Sequence, residues 1–369
     1  MKFTIQRELL LTPLQLISGV VEKRNTMPVL ANVLMETLED GLRITGTNME
    51  VELVAQVSQV SVEQGGRVTV PARKLSDICR TLTEGSQVRF ELKDGRMHIQ
   101  AGHASFTLST LPADAFPNVE DEPESISVTL PQGTLKRLID RTAYAMAQQD
   151  VRYYLNGMLF EFGGQVLTTV ATDGHRLALA REPLSGGDVP ARQCIVPRKG
   201  VLEMARLLSD SDGPCTLTLG DHHIRLSVDG YVFTSKLIDG KFPDYNRVIP
   251  RNGDKVVRAD RGALKHVLAS ASILCHESIR GVRLYLEPGV MKVYANNPEQ
   301  EEAEDRIEVE YEGEPLQIGF NVGYLIDAIS ALPDDTVTLT LSNPNSSALI
   351  EGAQSGRDDV LYVVMPMRL

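Results

Sequence analysis

The side chains best placed for chemistry are Asp173 and His175 in the run Asp173-Gly174-His175-Arg176, an acid and a base two residues apart. A carboxylate beside an imidazole is a pairing that general acid–base catalysis uses. One reading of the chain is therefore a nucleic-acid hydrolase acting through Asp173 and His175. The same residues read more simply as a glycine-bearing turn between two strands. His222 and His223 are adjacent in a strand-like run, so their rings leave on opposite faces and do not readily share a metal ion. The acidic stretch Glu299 to Asp305 lacks the glycine and alternating oxygen ligands of a calcium loop, and reads as a solvated or ion-pairing face. There is no GxxxxGKS/T phosphate loop, no GxGxxG after a strand, no HExxH and no CxxC pair. No metal and no cofactor is expected.

Chemistry that grips phosphate is better represented. Arg73, Lys74 and Arg80 flank a helix anchored by Leu75 and Ile78. Lys136, Arg137 and Arg141 do the same around Leu135, Leu138 and Ile139, and Arg198, Lys199 and Arg206 repeat the arrangement. Basic residues opposite apolar faces suit a lining for a polyanion. Arg24, and the run Gln148-Gln149-Asp150-Val151-Arg152-Tyr153-Tyr154, add cations, amides and two aromatics in loop-like segments, a set that stacks on bases or touches phosphates. The end of the chain, Leu361 to Leu369, is apolar where ends are usually polar. It is either buried as a strand or offered to a partner, and Met365-Pro366-Met367 suits an adaptable apolar pocket.

The elements that must position these residues recur. Three segments share an i, i+3, i+4, i+7 apolar face: Leu14/Ile17/Ser18/Val21, Leu135/Leu138/Ile139/Thr142 and Leu264/Val267/Leu268/Ala271. Thr12 followed by Pro13, and Asp260, are candidate helix starts. A second set, VPARKLSDICRTL, VPRKGVLEMARLL and FNVGYLIDAISAL, begins at residues 70, 196 and 320, each a strand expected to enter a helix through a polar turn. Several matches in one order indicate a threefold repeat. Loop composition at 121–125 and 249–254 sets domain limits at 1–124, 125–251 and 252–369. The class is α+β with largely antiparallel sheet.

At 369 residues, 42% apolar and 23% charged, the chain has enough material for several cores. A net charge of −12 argues against coating nucleic acid with the whole surface, though not against a local basic face. No leader or membrane span is read, and the four cysteines, with no close pair, suggest buried thiols in a reducing cytoplasm.

Over its whole length the chain resembles the β subunit family of bacterial DNA polymerase III, the β sliding clamps. The matching segments include VPARK at 70–74, FTLSTLPA at 106–113, QDVRYYLNGMLFE at 149–161, TDGHRLA at 172–178, VPRKG at 196–200, FTSKL at 233–237, FPDY at 242–245, NNPEQEEAE at 296–304, GFNV at 319–322 and YVVMPMRL at 362–369. The resemblance implies a non-catalytic processivity subunit built from three clamp-type domains, with sheets outside and helices lining the pore of a homodimeric ring around duplex DNA. Its partners would be the replicative polymerase, the clamp loader and repair proteins, each inserting a clamp-binding peptide, with no membrane involved.

Carried over by position, the peptide pocket comprises Leu155, Thr172, Gly174, His175, Arg176, Leu177, Pro243, Arg247 and Val248, with Asn321, Tyr324, Ser347, Val363, Val364, Met365, Pro366 and Met367 opposite. DNA contacts fall on Arg24, Gln149, Arg152, Tyr153 and Tyr154, with Arg73, Arg137, Arg141 and Arg198 as background attraction. The dimer interface would join Phe106 to Ile273 and Leu274. There His103 and Ser105 stand where basic residues are expected, which implies weaker, more pH-sensitive ion pairing. A monomeric peptide-binding adaptor and the Asp173/His175 hydrolase are the alternatives.

Overall fold

The computed structural model describes residues 1–22, 27–117, 119, 123, 126–185, 187–353 and 359–368. Arg24 and, Pro123 apart, the linker at 121–125 lie outside them. Six α-helices organise the described residues: α1 (Arg7–Val20), α2 (Ala72–Thr81), α3 (Gln132–Thr142), α4 (Arg198–Leu207), α5 (Arg261–Ser272) and α6 (Val322–Ala331). Each follows a strand directly. The strands are Lys2–Gln6, Arg67–Pro71, Ile126–Pro131, Val189–Pro197, Lys255–Asp260 and Leu316–Asn321 in the same order. Each copy of the repeat therefore contains the strand–helix motif twice.

The polar turn expected between strand and helix is absent. The last strand residue serves as the cap, which needs only an extended ψ before the helix begins. Asp260 accepts the Ala263 N–H at 2.7 Å, and Asn321 accepts from Gly323 and Tyr324 at 2.9 and 3.3 Å. The Asp260 cap is as expected; the start at Thr12-Pro13 is not. Helix α1 begins at Arg7 and carries Pro13 inside it. That proline forgoes one backbone hydrogen bond, but Leu10, Leu14 and Ile17 on either side bury an apolar face that holds the helix.

The shared apolar spacing is the buried face in every copy except at Ser18, which is half-buried. Leu14 and Ile17, Leu135, Leu138, Ile139 and Thr142, and Leu264, Val267, Leu268 and Ala271 are all buried. Thr142 is satisfied there by donating to the Leu138 carbonyl at 2.7 Å. Leu75, Val201 and Leu325, the first matched positions of the second set, are buried as well. All four cysteines are buried free thiols.

The chain divides into two compact units, residues 1–135 with 202–237, and residues 136–201 with 238–369. In the first, α1 packs on α2, and a five-stranded sheet runs Ser61–Gln64, Lys2–Gln6, Gln87–Lys93, Arg96–Ala101, Ala104–Ser109. Its eight-stranded sheet joins four strands of the second copy to four of the first where Tyr231–Lys236 pairs with Val51–Ser58. In the second unit, α5 packs on α6. Its eight-stranded sheet runs Val189–Pro197, Gly157–Gly164, Val166–Thr172, Arg176–Pro183, Val360–Val364, Ala348–Gly352, Thr336–Leu341, Lys255–Asp260. A four-stranded sheet accompanies it, ordered Glu302–Glu308, Val290–Asn296, Gly281–Glu287, Leu316–Asn321. Every ladder among the named strands is antiparallel. Each eight-stranded sheet thus draws on two copies of the repeat.

Candidate functional site

Strands Val166–Thr172 and Arg176–Pro183 form a hairpin with Thr172 opposite Leu177. The turn is built by its own side chains. The Thr172 hydroxyl donates to the Arg176 carbonyl at 2.6 Å and accepts the Gly174 N–H at 3.1 Å. Asp173 accepts the backbone N–H groups of His175 and Arg176 at 2.9 and 3.0 Å, and its second oxygen accepts Arg176 Nε at 3.1 Å. Gly174 has φ +87°, and a Cβ there would lie 2.8 Å from the Arg152 guanidinium. The Asp173 carboxylate is thus committed to the turn, and the exposed His175 ring lies against Tyr324, centroids 6.4 Å apart. Among the described residues no hydrogen bond joins the Asp173 carboxylate to the His175 ring.

The apolar chain end is both a strand and an exposed tail. Val360–Val364 is fully buried between Arg176–Pro183 and Ala348–Gly352, with Leu177 opposite Val363 and Arg176 opposite Val364. Past it, Met365 is exposed, Pro366 and Met367 are half-buried, and the Met365 and Met367 N–H groups donate to the His175 and Gly319 carbonyls at 2.9 and 2.8 Å. Side chains alternate across a sheet, which splits the expected pocket residues. Thr172, Leu177 and Val363 share the face of a core cluster with Leu159, Val170, Ile195, Phe242 and Tyr245. Val364 shares the other face with Arg176.

Phe242 and Tyr245 anchor the 242–248 segment over that cluster, and the Tyr245 hydroxyl donates to Glu161 at 2.8 Å. Between and beyond these anchors Pro243, Arg247 and Val248 are exposed, and Arg247 pairs with Asp244 at 3.0 Å. Leu155 is buried; Tyr324 and Ser347 are half-buried. Asn321 spends its side-chain oxygen on capping α6 and its amide on the Ile279 carbonyl at 3.5 Å.

Arg176 joins three segments. Its guanidinium donates to Asp173, to Asp327 at 2.5 Å and to the Tyr144 carbonyl at 2.9 Å. It lies 5.2 Å from the Tyr144 ring centroid and 4.5 Å from that of Tyr324. Burial disfavours its charge, but Asp327 and Asp173 more than offset this and raise its pKa. Burial also pushes the Tyr144 hydroxyl well above its ordinary range. Tyr144 and Asp327 carry no motif, and only the folded chain brings them here.

The expected nucleic-acid contacts stand in different surroundings. Asn156 closes the 149–154 loop, accepting the Asp150 N–H and donating to the Asp150 carbonyl, both at 2.9 Å. Gln149 adopts φ +56°, Val151 is 95% exposed and Tyr153 57% exposed. Tyr154 packs against the core cluster and meets Tyr153 edge-on at 5.7 Å. Arg152 holds Asp150 with two bonds at 3.0 and 2.8 Å, driving that carboxyl down to about 2, and donates to the Asp173 carbonyl at 3.1 Å. Arg73 is exposed. Arg137 and Arg141 both reach Glu182 at 3.3 Å, and the Arg141 side chain is only 18% exposed. Arg198 turns to the Met146 carbonyl at 3.3 Å. Arg141 and Arg198 are thus engaged within the protein, not held out as free cations.

Of the expected interface residues, Phe106 is half-buried on the edge strand Ala104–Ser109, Leu274 is half-buried, and Ile273 is 77% exposed just past α5. The acidic run forms part of the edge strand Glu302–Glu308, exposing Glu302, Glu304 and Glu308 alternately. Among the described residues no cluster suits a metal ion, and no helix is long and apolar enough to cross a membrane.

Known proteins match this architecture from end to end. Residues 1–120, 129–244 and 246–368 match the N-terminal, central and C-terminal domains of the DNA polymerase III beta subunit. The β sliding clamps of Pseudomonas putida and Escherichia coli K12 are 53% and 50% identical over 100% of both chains. A Pseudomonas aeruginosa sliding clamp, solved bound to griselimycin, superposes with a TM-score of 0.97 at 52% identity, again over 100% of both chains. With three clamp domains in one α+β chain, the chain belongs to the DNA polymerase III beta subunit family and is a DNA sliding clamp, a non-catalytic processivity subunit.

Proposed function

We propose that two copies of the chain close a ring around duplex DNA in the cytoplasm, with domains at 1–124, 125–251 and 252–369. The ring tethers the replicative polymerase, the clamp loader and repair proteins through short peptides. The peptides occupy a cleft whose floor is Leu177, Val363 and Leu155. Its rim is formed by the turn at Gly174 and His175, Pro243, Arg247 and Val248 on one side, and Tyr324, Ser347 and Met365 to Met367 on the other.

The observation that carries this reading is the tail. The chain spends five residues as a buried internal strand and then leaves Met365 exposed beside the His175 turn. An exposed thioether beside the His175 turn, with a buried apolar floor nearby, suits an apolar peptide anchor. Griselimycin, bound to the Pseudomonas aeruginosa clamp, is the probe. Calorimetric titration is expected to show binding that Leu177→Ala weakens, and unchanged affinity in that variant overturns the cleft.

For the dimer, Phe106 of one copy would meet Ile273 and Leu274 of the partner subunit, covering the exposed Ile273 with the edge strand Ala104–Ser109. Light scattering is expected to give twice the 40.6 kDa chain mass. A monomer at micromolar concentration would instead favour a peptide-binding adaptor. DNA is held by encirclement with weak phosphate contacts from Arg73, Arg137 and the loop carrying Gln149, Arg152, Tyr153 and Tyr154. A loaded ring is then expected to stay on circular DNA and slide off linear ends.

A further inference from the structure

Arg176 and Asp327 belong to different copies of the repeat, yet their side chains meet at 2.5 Å beside the cleft. The Arg176 side chain is only 13% exposed and pairs with two carboxylates, Asp173 and Asp327. A guanidinium this enclosed is stable only while its partners remain, because a buried charge that loses one is left poorly compensated. Asp327 stands one turn along α6 from Tyr324, on the same face of the helix. The Tyr324 ring meets two groups of the second copy, the Arg176 guanidinium at 4.5 Å and the His175 ring at 6.4 Å. The guanidinium fork is rigid and planar, so bonding to Asp327 and Asp173 together fixes its plane, and with it the position of the tyrosine.

We propose that Asp327 is a positioning residue for the peptide cleft: through Arg176 it holds Tyr324 of the third domain in register with the His175 turn of the second. It touches no ligand itself. Pairing of Arg176–Pro183 with Val360–Val364 already ties the two copies together through the backbone, so the ion pair sets the cleft's rim more than the fold. The proposal rests on the cleft reading above and assigns that site a residue that orders its two walls.

The test titrates griselimycin into the full-length chain and its Asp327→Ala, Asp327→Glu and Leu177→Ala variants, with thermal melting of each. Asp327→Ala is expected to weaken binding about tenfold and to lower the melting temperature, and Asp327→Glu to restore most of both. Wild-type affinity in Asp327→Ala, with weak binding in Leu177→Ala, overturns the positioning role and leaves the cleft standing. Wild-type affinity in Leu177→Ala overturns the cleft itself. Lost affinity accompanied by a large melting shift that Asp327→Glu does not reverse also overturns the proposal. Should Asp327→Ala fail to fold, Asp327→Asn keeps the volume and removes the charge. Severalfold weaker binding then supports the role, and unchanged binding overturns it.

Discussion

The Met365 N–H donates to the His175 carbonyl over 2.9 Å, so the C-terminal strand makes this bond at the turn that begins its neighbour. One bond thereby links the exposed tail to the turn at His175.

Removing residues 365–369 deletes that bond and the exposed methionine but spares the internal strand Val360–Val364. The truncated chain is expected to keep its circular dichroism spectrum and cooperative melting while losing most of its affinity for griselimycin. Extending the deletion to residue 360 removes a strand paired on both sides, and cooperative melting of the second unit is expected to disappear.

Gly174→Ala places a methyl group 2.8 Å from the Arg152 guanidinium on a backbone at φ +87°. The left-handed conformation alone costs about 1–2 kcal/mol for a residue with a Cβ. Urea denaturation should register that loss. Arg152 must also shift, which weakens its hold on Asp150, so the Asp150 carboxyl is expected to titrate above its value in the parent chain.

In the parent chain that carboxyl should titrate at about 2, because Arg152 hydrogen-bonds its charged form. A depressed folded pKa contributes stability above the ordinary carboxylate range, lost as pH falls through the folded value. The loop is therefore expected to keep its arrangement at pH 4 and to loosen only as pH approaches 2. Carbon-detected NMR of the Asp150 carboxyl checks the midpoint, and one near 4 would mean that the Arg152 bonds do not persist in solution.

Burial pushes the Cys79 and Cys194 thiols up to about 12 and Cys215 to about 11. The folded chain then binds more protons than the unfolded chain above the ordinary thiol value of about 8.5. This stabilising contribution is complete below that value and is lost as pH rises through 11 to 12. A thiol reagent at pH 8 should leave the native protein largely unmodified and label all four cysteines in denaturant. Urea midpoints should fall over the alkaline window.

Arg73 and Arg141 were alike in sequence and should behave differently. Arg73 is exposed, so Arg73→Ala is expected to lower the salt dependence of DNA binding by about one charge. Arg141 is mostly covered and held by Glu182, so Arg141→Ala should leave that slope unchanged and lower the melting temperature.

Much of the fold was legible because it follows from local rules. Leu264, Val267, Leu268 and Ala271 recur at helical spacing, and that spacing alone specifies one buried face. The turn at Asp173 was legible as a turn because an aspartate beside a glycine organises its own backbone. Tyr144 and Asp327 were not legible, since neither has a local signature and their importance lies in one guanidinium far away in the chain. The start of α1 was misread at Pro13 because a local breaker was outweighed by apolar burial on both sides.

What the sequence by itself determined is the repeated strand–helix unit, its apolar faces and, through motifs spread along the whole chain, its family. Tertiary structure decided which side chains of these units meet. Antiparallel register set Leu177 against Val363 and sent Arg176 with Val364 to the opposite face. A shift of one residue would exchange those faces. Register between strands so distant in the chain comes from the packing of a whole sheet, and it is there that a turn from one copy and the tail of another are brought together.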